Sequence, residues 1–325
     1  MTIENLKYEI GKSLSLPLEY LHNPEKRIFY IYILSSILLA FYVYTTSKSN
    51  TSFRRYILNK KIWFSSSALV DYKLMIFNSF FKVFFIAPFL FFAVHLSMIT
   101  ENFLIKHLGY SAIRLNKTET LIYYTLALTL LNDFLSYVTH LLFHKVPFLW
   151  EFHKVHHSAT VLNPITQYRL HPIELLINNL KFIIIFGILT GFFEYLSGGV
   201  VNKAVFMGVN VLSFFFLLWG ANLRHSHVKL TYFNFLEYIF ISPFQHQIHH
   251  SDSPEHFNKN LGSKFAIWDW LFGTLQRSKS VNKITFGLGQ TEHVSYNSFL
   301  KNMIEPFRNI KKIIFQRFVK KPPSN

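Results

Sequence analysis

The chain of 325 residues contains no cysteine. Disulfides, thiolate metal sites, iron–sulfur clusters and cysteine nucleophiles are therefore excluded, and any metal must rest on nitrogen and oxygen ligands. Acidic residues are scarce: 17 Asp and Glu stand against 33 Lys and Arg, a formal net charge of +16. Charge as a whole is scarce too, at 15%, where a soluble globular domain carries about 25%. In a soluble chain the basic excess would point to nucleic acid. Here half of the residues are hydrophobic and 37 are Phe. That favours a membrane protein with basic loops facing anionic lipid, and no nucleic-acid partner is expected. The first 27 residues are mixed and polar, without a charged start and a short apolar core, so no cleavable signal peptide is read.

Five apolar segments stand out. They run from about Ile28 to Tyr44, Met75 to Ile99, Thr120 to Tyr137, Leu175 to Leu196 and Val200 to Gly220. Each is about long enough to cross a bilayer as a helix. Pro88 is expected to kink the second, and Lys82 near its end to snorkel. Gly198 and Gly199 suggest the turn of a helical hairpin between the last two. A basic loop carries Lys48, Arg54, Arg55, Lys60, Lys61 and Lys73 against Asp71 alone. With that loop placed inside, alternate crossings bring every histidine-rich stretch and the basic tail to the same, cytoplasmic side.

The histidines carry the chemical signal. The run Asp133 to His157 holds His140 and His144, spaced i, i+4, and His153, His156 and His157, spaced i, i+3, i+4. On a helix such spacings share a face. The triplet returns as His246, His249 and His250, and His225 and His227 lie between. Neutral imidazole suits Zn, Fe and Cu. Ten candidates exceed the four that one tetrahedral zinc needs and suggest two metals. HLLFH, HKVHH and HQIHH contain no carboxylate, unlike the zinc-protease pattern, so O2 chemistry on non-haem iron fits better than metal-assisted hydrolysis. Asp133, Glu174, Asn222 and Asp252 are candidates to accept the second ring N–H of a ligand histidine. Arg169 and His171 could support the same shell. His22, His107, His256 and His293 read as isolated and solvated, and Trp268, Asp269 and Trp270 as structural.

HLLFH, LWEFHKVHHSA, YRLHPIE, HQIHHS and NKNLGSKFAIWDWLFGTL together resemble the fatty acid hydroxylase / sterol desaturase superfamily over roughly residues 120–275. The resemblance implies an integral membrane enzyme with two iron ions and O2 as co-substrate. It would hydroxylate or desaturate a lipid with electrons from an external donor of cytochrome b5, ferredoxin or flavin-reductase type. It implies iron ligation by His140, His144, His153, His156, His157, His246, His249 and His250, and by His225 or His227, with His225 preferred. His227 stands where relatives often have Asn, and Leu141 where many have Arg.

The expectation is an all-α, multi-pass membrane bundle of four to five apolar segments under a cytoplasmic, histidine-rich helical cap. Residues 1–119 would form an N-terminal segment with two spans, 120–275 the catalytic domain and 276–325 a basic tail. The membrane would be the endoplasmic reticulum in a eukaryote or the inner membrane in a bacterium. Two rival readings are an ether-lipid monooxygenase on the same scaffold and a non-redox, zinc-binding membrane protein. A transporter is disfavoured, because the histidines sit at span ends and in loops rather than at mid-membrane.

Overall fold

The computed structural model describes residues 3–47, 50–199, 201–202, 205–206, 209–289 and 294–319. It is a helical protein with one two-stranded ribbon, β1 (Val205–Phe206) and β2 (Val209–Asn210). Among the described residues three helical segments are long and apolar enough to cross a membrane: Ser66–Leu108, Lys117–Lys145 and Pro172–Ser197. In chain order the helices are α1 (Ile3–Glu19), α2 (Tyr30–Thr46), α3 (Phe53–Ile57), α4 (Lys60–Trp63), α5 (Ser66–Phe81), α6 (Phe91–Leu108), α7 (Lys117–Lys145), α8 (Pro147–His157), α9 (Pro172–Ser197), α10 (Val211–Leu218), α11 (Pro243–His249), α12 (Ile267–Leu271) and α13 (Phe299–Val319).

Local chemistry sets the boundaries near the site. Asn116 and Glu119 form a capping box at the start of α7. Its end falls at Val146, because the residue before a proline is pushed out of helical geometry. Pro147 then opens α8 at a position whose N–H no helix would use. Pro172 opens α9 in the same way, with His171 as its cap. Ser242, Pro243 and Gln245 combine a capping box with a first-turn proline to start α11.

Helices α7 and α9 run antiparallel. Leu115 donates its N–H to Leu196 O at one end (3.2 Å), and the histidine-bearing ends lie at the other. Helix α6 packs on α9 through two glycines. A Cβ at Gly187 would meet Ala93 O at 2.8 Å, and one at Gly191 would meet Ser97 O at 2.2 Å. This spacing of small residues lets two apolar helices approach closely without help from water.

Three of the expected segments differ from the sequence reading. The second is part of a longer segment in which five residues of π-helix (Lys82–Ile86) and a 3-10 turn (Ala87–Phe89) separate α5 from α6 at Pro88. The first is the 17-residue α2, at the short end of helices that cross a bilayer and not among the three longer segments. The fifth is not one continuous helix among its described residues. It holds the β1–β2 ribbon and the eight-residue α10, and it carries the chain back from the Leu196 end of α9 to the histidine end; residues 200, 203–204 and 207–208 lie outside the described residues. Asn210 caps α10 by accepting from Leu212 and Ser213 N–H, and Gly220 ends the run with φ +85°. Snorkelling does not describe Lys82 either: its Nζ donates to Tyr20 OH at 3.0 Å beneath the histidine site.

Candidate metal centre

Four elements deliver the histidines. The last turns of α7 carry His140 and His144, α8 carries His153, His156 and His157, the 3-10 segment Ala221–His225 carries His225, and α11 with its C-cap carries His246, His249 and His250. They form two groups. One is His140, His144, His153, His157 and His249; the other is His156, His225, His246 and His250. Within each group one ring nitrogen per residue lies within 4.8 Å of all the others.

The protons can be assigned from the acceptors. His140 donates Nδ1–H to Leu261 O (2.8 Å), His153 to Glu174 Oε1 (2.9 Å), His156 to Arg169 O (3.2 Å) and His249 to Lys259 O (2.9 Å). Such bonds fix the tautomer and leave the Nε2 lone pair free. Yet His140 Nε2 lies 3.0 Å from His153 Nε2, and His156 Nε2 lies 3.3 Å from His225 Nε2. Further contacts of 3.1 and 3.2 Å link His225 Nε2 to His250 and His246. His140 and His153 both donate from Nδ1, so their Nε2 lone pairs face each other and repel unless a cation sits between them. With metal–nitrogen bonds of about 2.1 Å, adjacent ligand nitrogens stand about 3.0–3.4 Å apart, which is the spacing seen. Nε2 of His144, His157 and His249 is buried without a protein partner. The donor set thus fits the metal ions that the sequence implies.

Burial favours the ligating form. It lowers the pKa of His153, His157, His225, His246, His249 and His250, with repulsion from neighbouring histidines adding to it. His156 is pushed down to about 3 by burial first and His140 second. At neutral pH these rings are uncharged and able to bind a cation.

Not every expected residue meets the site. His227 belongs to neither group: its ring packs edge-on against Tyr56, 4.7 Å between centroids. Asp133 touches no histidine. Its carboxylate accepts from Lys264 N–H, Phe265 N–H and Trp268 Nε1–H, tying down the loop that presents Leu261 O. Asp252 accepts from Thr285 Oγ1, and Asn222 lies buried without a side-chain partner beside a separate apolar cavity. His171 caps α9 and packs against Phe152 and Phe307. Glu174 and Arg169 do meet the site, Arg169 through its carbonyl. Its guanidinium instead pairs with Asp71 (2.9 Å) and donates to Ser158 Oγ and Val155 O. His256, read as solvated, is buried beside Glu255, and His293 lies outside the described residues. The acceptors Leu261 O and Lys259 O were not foreseen, because a backbone carbonyl leaves no mark in the sequence.

Two cavities reach the groups. One of about 290 Å³ is lined by His144, His157, His249 and Trp150. The other, of about 400 Å³, meets both groups at His140, His153, His156, His225 and His246.

Fold and site together define a class: a membrane protein of long apolar helices whose ends gather two all-histidine groups that could hold metal ions. Residues 125–274, just under half of the chain, match the fatty acid hydroxylase family model. The chain is similar to an alkylglycerol monooxygenase of Caenorhabditis elegans, 25% identical over 52% of this chain and 30% of the relative. It is 31% identical to the ornithine lipid hydroxylase OlsE of Rhizobium tropici over 54% of this chain and 47% of that protein. An alkylglycerol monooxygenase of Xenopus tropicalis is 28% identical over 48% of this chain and 31% of its own length. The chain thus spans less than half the length of these relatives. No solved structure matches.

Proposed function

We propose that the chain is a membrane-embedded di-iron oxygenase that hydroxylates a lipid. One observation carries the reading: two all-histidine groups, with Nε2 atoms 3.0–3.3 Å apart, at the ends of apolar helices within a family domain. Two iron ions, held by the five-histidine and four-histidine groups, would supply the reduction of O2 and the oxidation of an unactivated C–H bond. The protein holds the rings in the ligating tautomer through Leu261 O, Lys259 O, Arg169 O and Glu174, and keeps them uncharged by burial. Phe143, stacked on His153, and Trp150, against His144 and His157, wall the centre with apolar surface and limit water.

Electrons come from an external cytochrome b5-, ferredoxin- or flavin-type donor. The basic stretch Arg54 to Lys73 sits just before and within the start of α5, so the site end faces the cytoplasm by the positive-inside rule. A second reading, ether-lipid oxidation, is favoured by the two relatives named alkylglycerol monooxygenase. Desaturation of the same substrate class differs only in the fate of a second hydrogen.

The test is metal analysis of the detergent-purified protein, paired with mass spectrometry of lipids incubated with O2 and a reductant. About two irons per chain and a lipid gaining one oxygen atom are expected. His153→Ala should abolish turnover while membrane insertion persists. Stoichiometric zinc, with no O2-dependent turnover under any reductant, would overturn the oxygenase reading.

A further inference from the structure

The larger cavity at the histidines is strongly cationic. Arg27, Lys82, Lys181 and Arg224 line it, and its one carboxylate, Glu174, is engaged with His153. Among the described residues none of the four forms an ion pair. Lys82 donates to Tyr20 OH, Lys181 to Ser136 Oγ (2.6 Å) and Arg224 to Ile241 O (3.2 Å), all neutral acceptors; the Asp133 carboxylate acts on Lys181 and Arg224 only from beyond ion-pair distance. Arg224 is 1% exposed and its Nε has no partner. Desolvated cations without an ion-paired counter-charge are costly, and metal ions held by the histidines would add to the excess. An oxyanion relieves it by charge-assisted hydrogen bonds, for which guanidinium is especially suited.

The shape adds a second constraint. A neighbouring cavity of about 320 Å³ shares Arg27 and Ser263 with the first; its polar wall adds Glu25 and Lys264, which offset each other in charge, and Leu128, Phe182, Phe216 and Leu217 supply apolar wall between α7, α9 and α10. A cationic chamber opening onto a partly apolar one between membrane helices suits an amphiphile with an anionic end.

We infer that the cationic cavity binds the oxyanion of a membrane lipid, a carboxylate or a phosphate, with Arg27 and Lys181 setting the preference. Its position beside both histidine groups then puts the oxidised carbon within a few bonds of that headgroup. This second statement rests on the oxygenase reading; the first does not.

The experiment measures lipid retention by native mass spectrometry on metal-loaded and metal-free protein in detergent. The lipids are a free fatty acid, phosphatidylglycerol, phosphatidylcholine and diacylglycerol with matched chains. The wild type should hold at least one of the two anionic lipids about tenfold better than the zwitterionic and neutral ones, and the preferred one names carboxylate or phosphate as the group. Arg27→Gln and Lys181→Gln should each remove most of that preference at unchanged metal content. Arg308→Gln, which alters an exposed cation paired with Glu305, should leave it intact. Equal retention of all four lipids by the wild type would overturn the inference whether or not the variants fold. Oxidation confined to mid-chain carbons would overturn the second statement alone. Absence of O2-dependent turnover would sink the oxygenase reading while the charge preference of the metal-free protein still stood.

Discussion

Glu174→Gln is the sharpest perturbation of the proposed centre. Glu174 Oε1 accepts from His153 Nδ1–H at 2.9 Å, both groups are buried, and His153 Nε2 faces the five-histidine group. Glutamine keeps the shape and one acceptor oxygen but removes the negative charge that strengthens the imidazole as a donor to metal. Loss of such a partner weakens metal binding by about 10–100-fold, or about 1.4–2.7 kcal/mol. Melting of the metal-free protein should change little, since the hydrogen bond can still form. Asp133→Asn is the contrasting case. It disturbs a carboxylate that accepts three donors from the loop at Lys264 to Trp268, at about 1.5–3 kcal/mol for each charged hydrogen bond lost. Stability should fall there first, and metal affinity only as the loop loosens. The assay is competition for ferrous iron against a calibrated chelator, read beside thermal unfolding in the same detergent. Glu174→Gln with wild-type iron affinity, or with a large loss of metal-free stability, would refute the assignment of this carboxylate to the metal centre.

Further outcomes follow from the same geometry. His227→Ala should leave metal content unchanged while His225→Ala lowers it, by elemental analysis; equal losses would return His227 to the ligand set. Gly191→Leu should separate α6 from α9, because even a Cβ would lie 2.2 Å from Ser97 O; loss of the folded, detergent-soluble protein by size-exclusion chromatography is expected, and wild-type yield and melting would contradict the packing. The metal-free protein should lose stability as pH falls. His156 is held at about 3 in the fold and its unfolded value is near 6.5. Between those values the unfolded chain takes protons that the fold refuses, so stability rises with pH and the loss begins near 6.5. One unit below that point each such histidine costs about 1.4 kcal/mol. An unchanged melting temperature between pH 7.5 and 5.5 would refute the burial argument.

The histidines were legible in the sequence because helical spacing projects them onto shared faces before any packing is known. Choosing His225 over His227 from geometry was not possible there: residues two apart in an irregular stretch face apart, and only the turn of the backbone at Ser226 decides which ring enters the site. The acidic partners were ambiguous for a related reason. Asp133 is near His140 in sequence, but its position on α7 directs it to the loop at Lys264, whereas Glu174 reaches His153 from the first turn of another helix. Apolar runs announced α7 and α9 well. The run ending at Gly220 was legible as an apolar segment but not as a short helix, because hydrophobicity measures where a segment is comfortable, not how long its helix is; the cap at Asn210 and the left-handed Gly220 limit α10 to eight residues.

Two short elements are divided between the centres. Helix α8 gives His153 and His157 to one group and His156 to the other, and the α11 segment gives His249 to the first and His246 and His250 to the second. Occupation of either centre therefore fixes the rotation and height of backbone that the other needs. An ion in one group would thus order backbone that the other group uses and raise its affinity, and by reciprocity the coupling would be equal in both directions. Titration with metal should be sigmoidal, and a partly depleted preparation should be a mixture of full and empty molecules rather than a population of half-filled ones. Two ions held by these groups would be spaced by two helical turns rather than by flexible side chains.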